Sequence, residues 1–164
     1  MNNNLKKKSS LRFPLEIQSS KYKIYNKIHI KHNYKEIITC KQASQAKNIL
    51  LKNELKSLLL KTSIGFYVVH LSGSSTLNNR KVKQFLSCKE ASLASKSELN
   101  RFGLSPGTVC AIINPIWELP HLFSNEIFNL NFVSTNNGTK SGYLVFNPNV
   151  LLLSKNHKIG DFTR

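Results

Sequence analysis

Few residues in this chain have the type and spacing that reactions need. His29 and His32 form a His-x-x-His pair, but no cysteine or acid stands at ligand spacing, so no metal site is expected. Cys40, Cys88 and Cys110 are odd in number and widely spaced, with no Cys-x-x-Cys. That pattern predicts reduced thiols rather than a disulfide framework or a zinc ribbon. Cys110 falls in a loop, but the sequence places no base beside it, and a small buried thiol is the simpler reading. His70 lies in a predicted strand and His121 follows Pro120; both read as structural. Asp161 is the sole aspartate and the glutamates are scattered, which disfavours a paired-carboxylate mechanism. There is no Gly-x-Ser-x-Gly, no phosphate-binding loop and no His-Glu-x-x-His. No cofactor is expected, and an enzyme built on this chain would not depend on a strong side-chain acid and base.

One lysine stands apart. Lys56 opens the run Lys56-Ser57-Leu58-Leu59-Leu60 and, by strand alternation, shares a face with Leu58 and Leu60. A stem lying on an apolar face can deliver its ammonium to an anion. In a partly dry pocket such a charge stabilises a phosphate or a developing oxyanion, commonly by a few kcal/mol. The alternative is a strand-end lysine reaching solvent. Lys47, Lys52 and Lys61 are read as solvated.

The elements that must position Lys56 follow from local pattern. TCKQASQAKNILL reads as a helix capped by Thr39, with Ala43, Ala46, Ile49 and Leu50 on one face. Two strands follow, with Gly65 at the turn between them, and the first is expected to be central because both its faces are partly apolar. LNNRKVKQFLS reads as a helix capped by Asn78 or Asn79, with Val82, Phe85 and Leu86 inward. EASLAS is a short strand. Ser95 and Glu98 have capping-box spacing at the head of KSELNRF, which Gly103 stops. IWELPHLFS and NLNFVST read as strands. NNGTKSG is a hairpin turn and YLVFNP its return strand, before a short helix, NVLLLS, that starts at Asn147-Pro148. Ile24, Ile28 and Ile30 mark an early strand.

At 164 residues and 40% hydrophobic, the chain holds one globular domain with no internal repeat. No apolar run reaches the roughly 18 to 20 residues of a membrane span, and the start of the chain lacks a signal-peptide core; its basic, acid-poor character also fits an organelle transit peptide. A cytoplasmic protein is expected. Net charge is +16, from 24 basic and 8 acidic residues, which favours polyanionic partners and salt-sensitive binding; codon bias of an AT-rich genome would also enrich lysine and asparagine. Residues 1 to 35 hold nine of the basic residues against a single acid, Glu16. Accordingly 1–33 is read as a basic arm, 34–154 as the domain and 155–164 as a C-terminal tail.

The ordered set ELKSLLL, GFYVVHLSG, NNRKVKQFL, EASLASKSEL, GLSPGTV, LPHLF and VSTNNGTKSGYLVF resembles the YbaK-like family of aminoacyl-tRNA editing domains, over about residues 36 to 153. That family includes the editing insertion of bacterial prolyl-tRNA synthetases and its free-standing relatives. The resemblance implies a mixed α+β fold, with a barrel-like mixed β-sheet and flanking helices. It implies a trans-acting deacylase that hydrolyses the ester of a small amino acid, such as alanine, serine or cysteine, on the wrong tRNA. Partners would be mischarged tRNA and an aminoacyl-tRNA synthetase. It assigns the functional lysine to Lys56 and the backbone loop around the aminoacyl group to Gly107, Thr108, Val109, Cys110 and Ala111. Ser57, Asn136, Asn137, Gly138 and Ser141 complete the implied pocket. The terminal ribose hydroxyl of the tRNA is thought to activate water in that family, which suits the lack of a side-chain base here. Two departures stand out: Ala111 where the family loop has proline, and Lys140 and Ser141 near the family's histidine after the final hairpin turn. A domain that binds RNA or a synthetase without catalysis is the alternative.

Overall fold

The computed structural model describes residues 13–28 and 37–164. The His29/His32 pair and much of the basic arm lie outside the described residues. Among those described, no helix is long and apolar enough to cross a membrane.

Local signals set most elements. Helix α2 (Cys40–Lys47) opens with a complete capping box between Thr39 and Gln42, and Asn48 ends it in the left-handed conformation. Strands β2 (Leu55–Thr62) and β3 (Gly65–Ser72) form an antiparallel hairpin in full register, turned at Gly65 with φ +127°. Helix α3 (Asn79–Leu86) is capped by the Asn78 side chain, and α4 (Lys96–Arg101) by the Ser95/Glu98 box. Between them runs β4 (Ala91–Leu93).

The strands form two sheets in a mixed α+β fold with flanking helices and no closed barrel. The larger has the order β4-β2-β3-β5-β8, where β5 is His121–Ser124 and β8 is His157–Gly160. Its β2–β3 and β2–β4 ladders are antiparallel; β5 runs parallel to β3, and β8 parallel to β5. The smaller sheet is antiparallel, in the order β1-β7-β6, from β1 (Tyr25–Ile28), β6 (Val133–Asn136) and β7 (Gly142–Phe146). A parallel bridge, Glu54 to Ser134, links the two sheets where β2 begins. The largest core cluster includes Leu55, Phe123, Val133, Leu144 and Phe146, and a second lies under α3 around Leu60, Val69, Val82 and Phe162. Each such fully buried side chain contributes about 1.5–3 kcal/mol.

Four expectations change. Residues 13–28, assigned to a basic arm, carry α1 (Leu15–Gln18) and β1; Ile17 is 4% exposed in the main core, and β1 pairs along β7. The 155–164 segment is not a tail, since β8 completes the larger sheet and Phe162 is fully buried. Helix α2 stops before Ile49 and Leu50, and Leu50 is exposed. In IWELPHLFS a 3-10 turn at Ile116–Glu118 precedes β5, and NLNFVST begins on the last residue of another, Asn125–Asn129, with β6 starting only at Val133, so both strands are shorter than the apolar runs.

Candidate functional site

Strand β3 pairs along the whole of β2, but β4 covers only Leu60–Thr62 on the other side. The first half of β2 therefore presents an edge between the Glu54–Ser134 bridge and β4. A cleft of about 140 Å³ occupies this edge, lined by Leu55, Lys56, Ser57 and Leu58. Ile38, Thr39 and Cys40 at the head of α2 form one wall, Gly107 and Val109 a second, and Asn136, Thr139, Lys140 and Gly142 a third. The Leu59 carbonyl accepts from the Ala94 amide at 2.9 Å across this edge. Backbone groups two residues apart point the same way, so Ser57 directs its own N–H and C=O into the cleft.

Lys56 and Ser57 leave β2 on opposite faces. Lys56 shares its face with Leu58 and Leu60, which belong to the cluster under α3, and its Nζ donates to the Ser75 carbonyl at 2.6 Å. A lysine has three donors; Ser75 takes one. The loop wall is fixed by the turn at Ser105-Pro106-Gly107-Thr108, where Gly107 has φ +86° and the Thr108 hydroxyl and amide both donate to the Ser105 carbonyl. Asn136 clamps this loop to the hairpin: Nδ2 donates to the Val109 carbonyl at 2.8 Å, and Oδ1 accepts from the Gly138 amide at 2.8 Å.

The lining of the cleft also includes an ion pair absent from any local pattern. The Lys47 side chain is 3% exposed; its Nζ reaches Glu54 Oε2 and Ser134 Oγ, each at 2.8 Å, and sits 4.8 Å from the Tyr143 ring centroid. Lys47 is thus a buried structural charge, contrary to its reading as solvated. Lys61 is solvent-facing, in an exposed pair with Glu98. Burial draws Lys47 down from its ordinary pKa and pushes Glu54 up, each opposed by its partner. The second Glu54 oxygen has no hydrogen-bond partner among the described residues.

A family model described as an aminoacyl-tRNA editing domain matches residues 35–153. The chain belongs to the aminoacyl-tRNA editing domain family. No curated protein matches it in sequence. Among solved structures, a candidate trans-editing enzyme for prolyl tRNA synthetase superposes with a TM-score of 0.72 at 21% identity, covering 87% of each chain. A hypothetical protein gives 0.73 at 18% identity, over 87% of this chain and 91% of its own. A scaffold used in computational epitope-backbone grafting gives 0.73 at 20%, over 87% of each. At these identities the likeness is one of fold.

In this editing domain the fold brings Lys56, Ser57, Gly107, Val109 and Asn136 to one cleft. It does not bring the rest of the implied pocket there. Cys110 and Ala111 point into the core, and burial pushes the Cys110 thiol up to about 12, so it is no nucleophile. Thr108 serves the turn. Asn137, Gly138 and Ser141 shape the hairpin loop, while Thr139 and Lys140 are its cleft-lining members. Cys40 lines the cleft as well, its thiol pushed up by burial despite Lys56 and Lys47 nearby. Among the described residues no group of three or more metal-type side chains could hold an ion.

Two histidines read as structural turn out to be connected to the cleft. Ser57 Oγ lies 2.9 Å from His70 Nδ1, His70 Nε2 lies 2.8 Å from His121 Nδ1, and His121 Nε2 lies 3.2 Å from the Trp117 carbonyl. Ser57 and His70 are register partners on β2 and β3, and His121 sits on the adjacent β5. Sequence marked only their strands; a hydroxyl and two imidazoles on neighbouring strands, alternating onto one face, were the signal available.

Proposed function

We propose that this editing domain is a trans-acting aminoacyl-tRNA deacylase that hydrolyses the ester of a small amino acid mischarged on tRNA, of the prolyl-tRNA-editing type. The observation that supports it is the cleft at the β2 edge, where Lys56, the Ser57 backbone and the Gly107–Val109 loop converge in a chain of this family. Its volume is close to the roughly 150 Å³ of a cavity that accepts benzene. Such a space admits alanine, serine or cysteine and excludes bulkier residues by size, as a second sieve does.

Water attack on the ester carbonyl puts negative charge on its oxygen, and the bond to the ribose oxygen then breaks, releasing the amino acid and the tRNA hydroxyl. In this reading Lys56 supplies a fixed positive charge to the terminal phosphate or the oxyanion, and the cleft-facing amide of Ser57 supplies a donor. No protein base is assigned; the ribose hydroxyl next to the ester serves that role, as the family resemblance implies. The +16 charge holds the tRNA body through phosphates. Its unpaired 3′ end would cross the outer face of the smaller sheet. There Tyr25 and Lys27 on β1 stand opposite Val145 and Tyr143 on β7, and a groove of about 240 Å³ runs among Lys27, Phe132 and Tyr143. We place the protein in the cytoplasm, with the tRNA pool.

The test is release of labelled amino acid from tRNA for proline charged with alanine, serine or cysteine. Wild type is expected to release the small amino acid, and folded Lys56→Ala to lose that activity. Undiminished release by folded Lys56→Ala would refute the role of Lys56. A second reading, an RNA- or synthetase-binding module without catalysis, is favoured by the Ser75 carbonyl already engaging the Lys56 ammonium. Steeply salt-dependent RNA binding with no ester hydrolysis would select it.

A further inference from the structure

The chain from Ser57 to Trp117 has a fixed direction. The Trp117 carbonyl can only accept, so the proton of His121 is on Nε2. A neutral His121 then has a bare Nδ1, which accepts from His70 Nε2–H. A neutral His70 in turn has a bare Nδ1, which accepts from the Ser57 hydroxyl. Both rings are buried among apolar side chains, with His70 stacked against His121 and packed on Phe123. Burial holds both imidazoles below their ordinary pKa, and so in the neutral form this direction requires.

A free serine hydroxyl rotates to donate or to accept. The hydroxyl of Ser57 is committed to His70, so toward the cleft it can only accept. That excludes it as a donor to the ester carbonyl, to a phosphate or to an oxyanion. The aminoacyl end of a charged tRNA carries one strong cationic donor, the α-ammonium. Strand alternation also sends Ser57 and Lys56 to opposite faces of β2, which separates the acceptor suited to an ammonium from the cation suited to anions.

We propose that Ser57, oriented by the buried His70–His121 pair, recognises the free α-ammonium of the substrate, so that the cleft selects esters of free amino acids over N-acylated ones such as peptidyl esters. This rests on the deacylase reading for its substrate class. N-acylation removes the charge and leaves a single N–H. Ser57 is a specificity residue in this account, and the two histidines are positioning residues.

The test separates recognition from turnover. Calorimetry would compare 3′-alanylamino-3′-deoxyadenosine, a non-hydrolysable mimic of the alanyl ester, with its N-acetyl derivative on wild type and Ser57→Ala. A hydrogen bond to a charged group predicts that wild type binds the free amine about ten- to a hundredfold more tightly. In Ser57→Ala the preference is expected to collapse to about twofold, with the N-acetyl compound binding both proteins alike. Equal loss of both compounds on Ser57→Ala, or no preference in wild type, overturns the proposal. Nitrogen-15 spectra of the wild type provide a second measurement that needs no variant: His70 and His121 are expected to show bare Nδ1 and protonated Nε2, and a protonated Nδ1 on either ring refutes the relay. If the wild type prefers the free amine yet releases nothing from any charged tRNA, the deacylase reading fails while the recognition site stands.

Discussion

Acidification is expected to destabilise this protein through the same two histidines. Burial holds the His121 imidazole at about 4, against an ordinary value of 6.5. Its folded pKa lies below its unfolded one, so the unfolded chain takes up the proton first. Stability is therefore complete above about 6.5 and falls as pH drops toward 4. At about pH 5 the unfolded imidazole is almost fully protonated and the folded one hardly at all. The resulting loss is about 2 kcal/mol from His121 alone, at about 1.4 kcal/mol for each tenfold difference in proton affinity between the two states. His70 adds to it with the same sign, because burial and the neighbouring His121 hold it well below 6.5. His157 opposes a charge on His121 as well. A typical domain has only about 5–15 kcal/mol in total. Guanidinium denaturation at about pH 7.5, 6.5, 5.5 and 5 reads this directly as a falling midpoint at constant slope. The carboxylates held low, Glu98 and Asp161 at about 2, lose stability only below the ordinary carboxylate range, so they do not mask the histidine window. Glu54, which burial pushes up, has the opposite sign and offsets part of the loss, so the titration is repeated on Glu54→Gln. Stability that stays level within about 0.5 kcal/mol from pH 7.5 to 5 in both proteins would refute the buried neutral pair, and with it the physical basis for the orientation of Ser57.

Other outcomes follow from single contacts. Lys47→Met is expected to cost about 3–5 kcal/mol, because it strands Glu54 without its ammonium; Lys61→Ala, in an exposed pair, is expected to cost under about 1 kcal/mol in the same denaturation experiment. Gly73→Ala would set a Cβ 2.6 Å from the Leu51 carbonyl oxygen and 2.8 Å from Glu54 Cβ, so a loss of about 1–3 kcal/mol is expected, with weaker binding in the adjoining cleft. Tyr25→Ala and Phe132→Ala are expected to raise KM for mischarged tRNA while kcat holds, with loss of base stacking worth about 1–3 kcal/mol per base; an unchanged KM in both would remove the outer face of the smaller sheet from the tRNA path.

Features written in neighbouring residues were legible in the sequence. The Thr39, Asn78 and Ser95 caps, the turn at Gly65 and the alternation that puts Lys56 with Leu58 and Leu60 each depend on side chains a few positions apart. The ordered motifs likewise carried the family, which the match over residues 35–153 shows. Tertiary structure decided what those residues do. Lys47 looks solvated in its helix, and only Ser134, 87 positions away, together with Glu54 and Tyr143, makes it a buried charge. Strand β8 has no hairpin turn to announce it, because it joins the sheet in parallel beside β5. Ser57, His70 and His121 are separated by 13 and then 51 residues, and only the pairing of β2, β3 and β5 puts them within hydrogen-bond distance. Capping and alternation act over one or two turns of chain, whereas burial and the direction of a hydrogen-bonded proton depend on which distant residue arrives alongside.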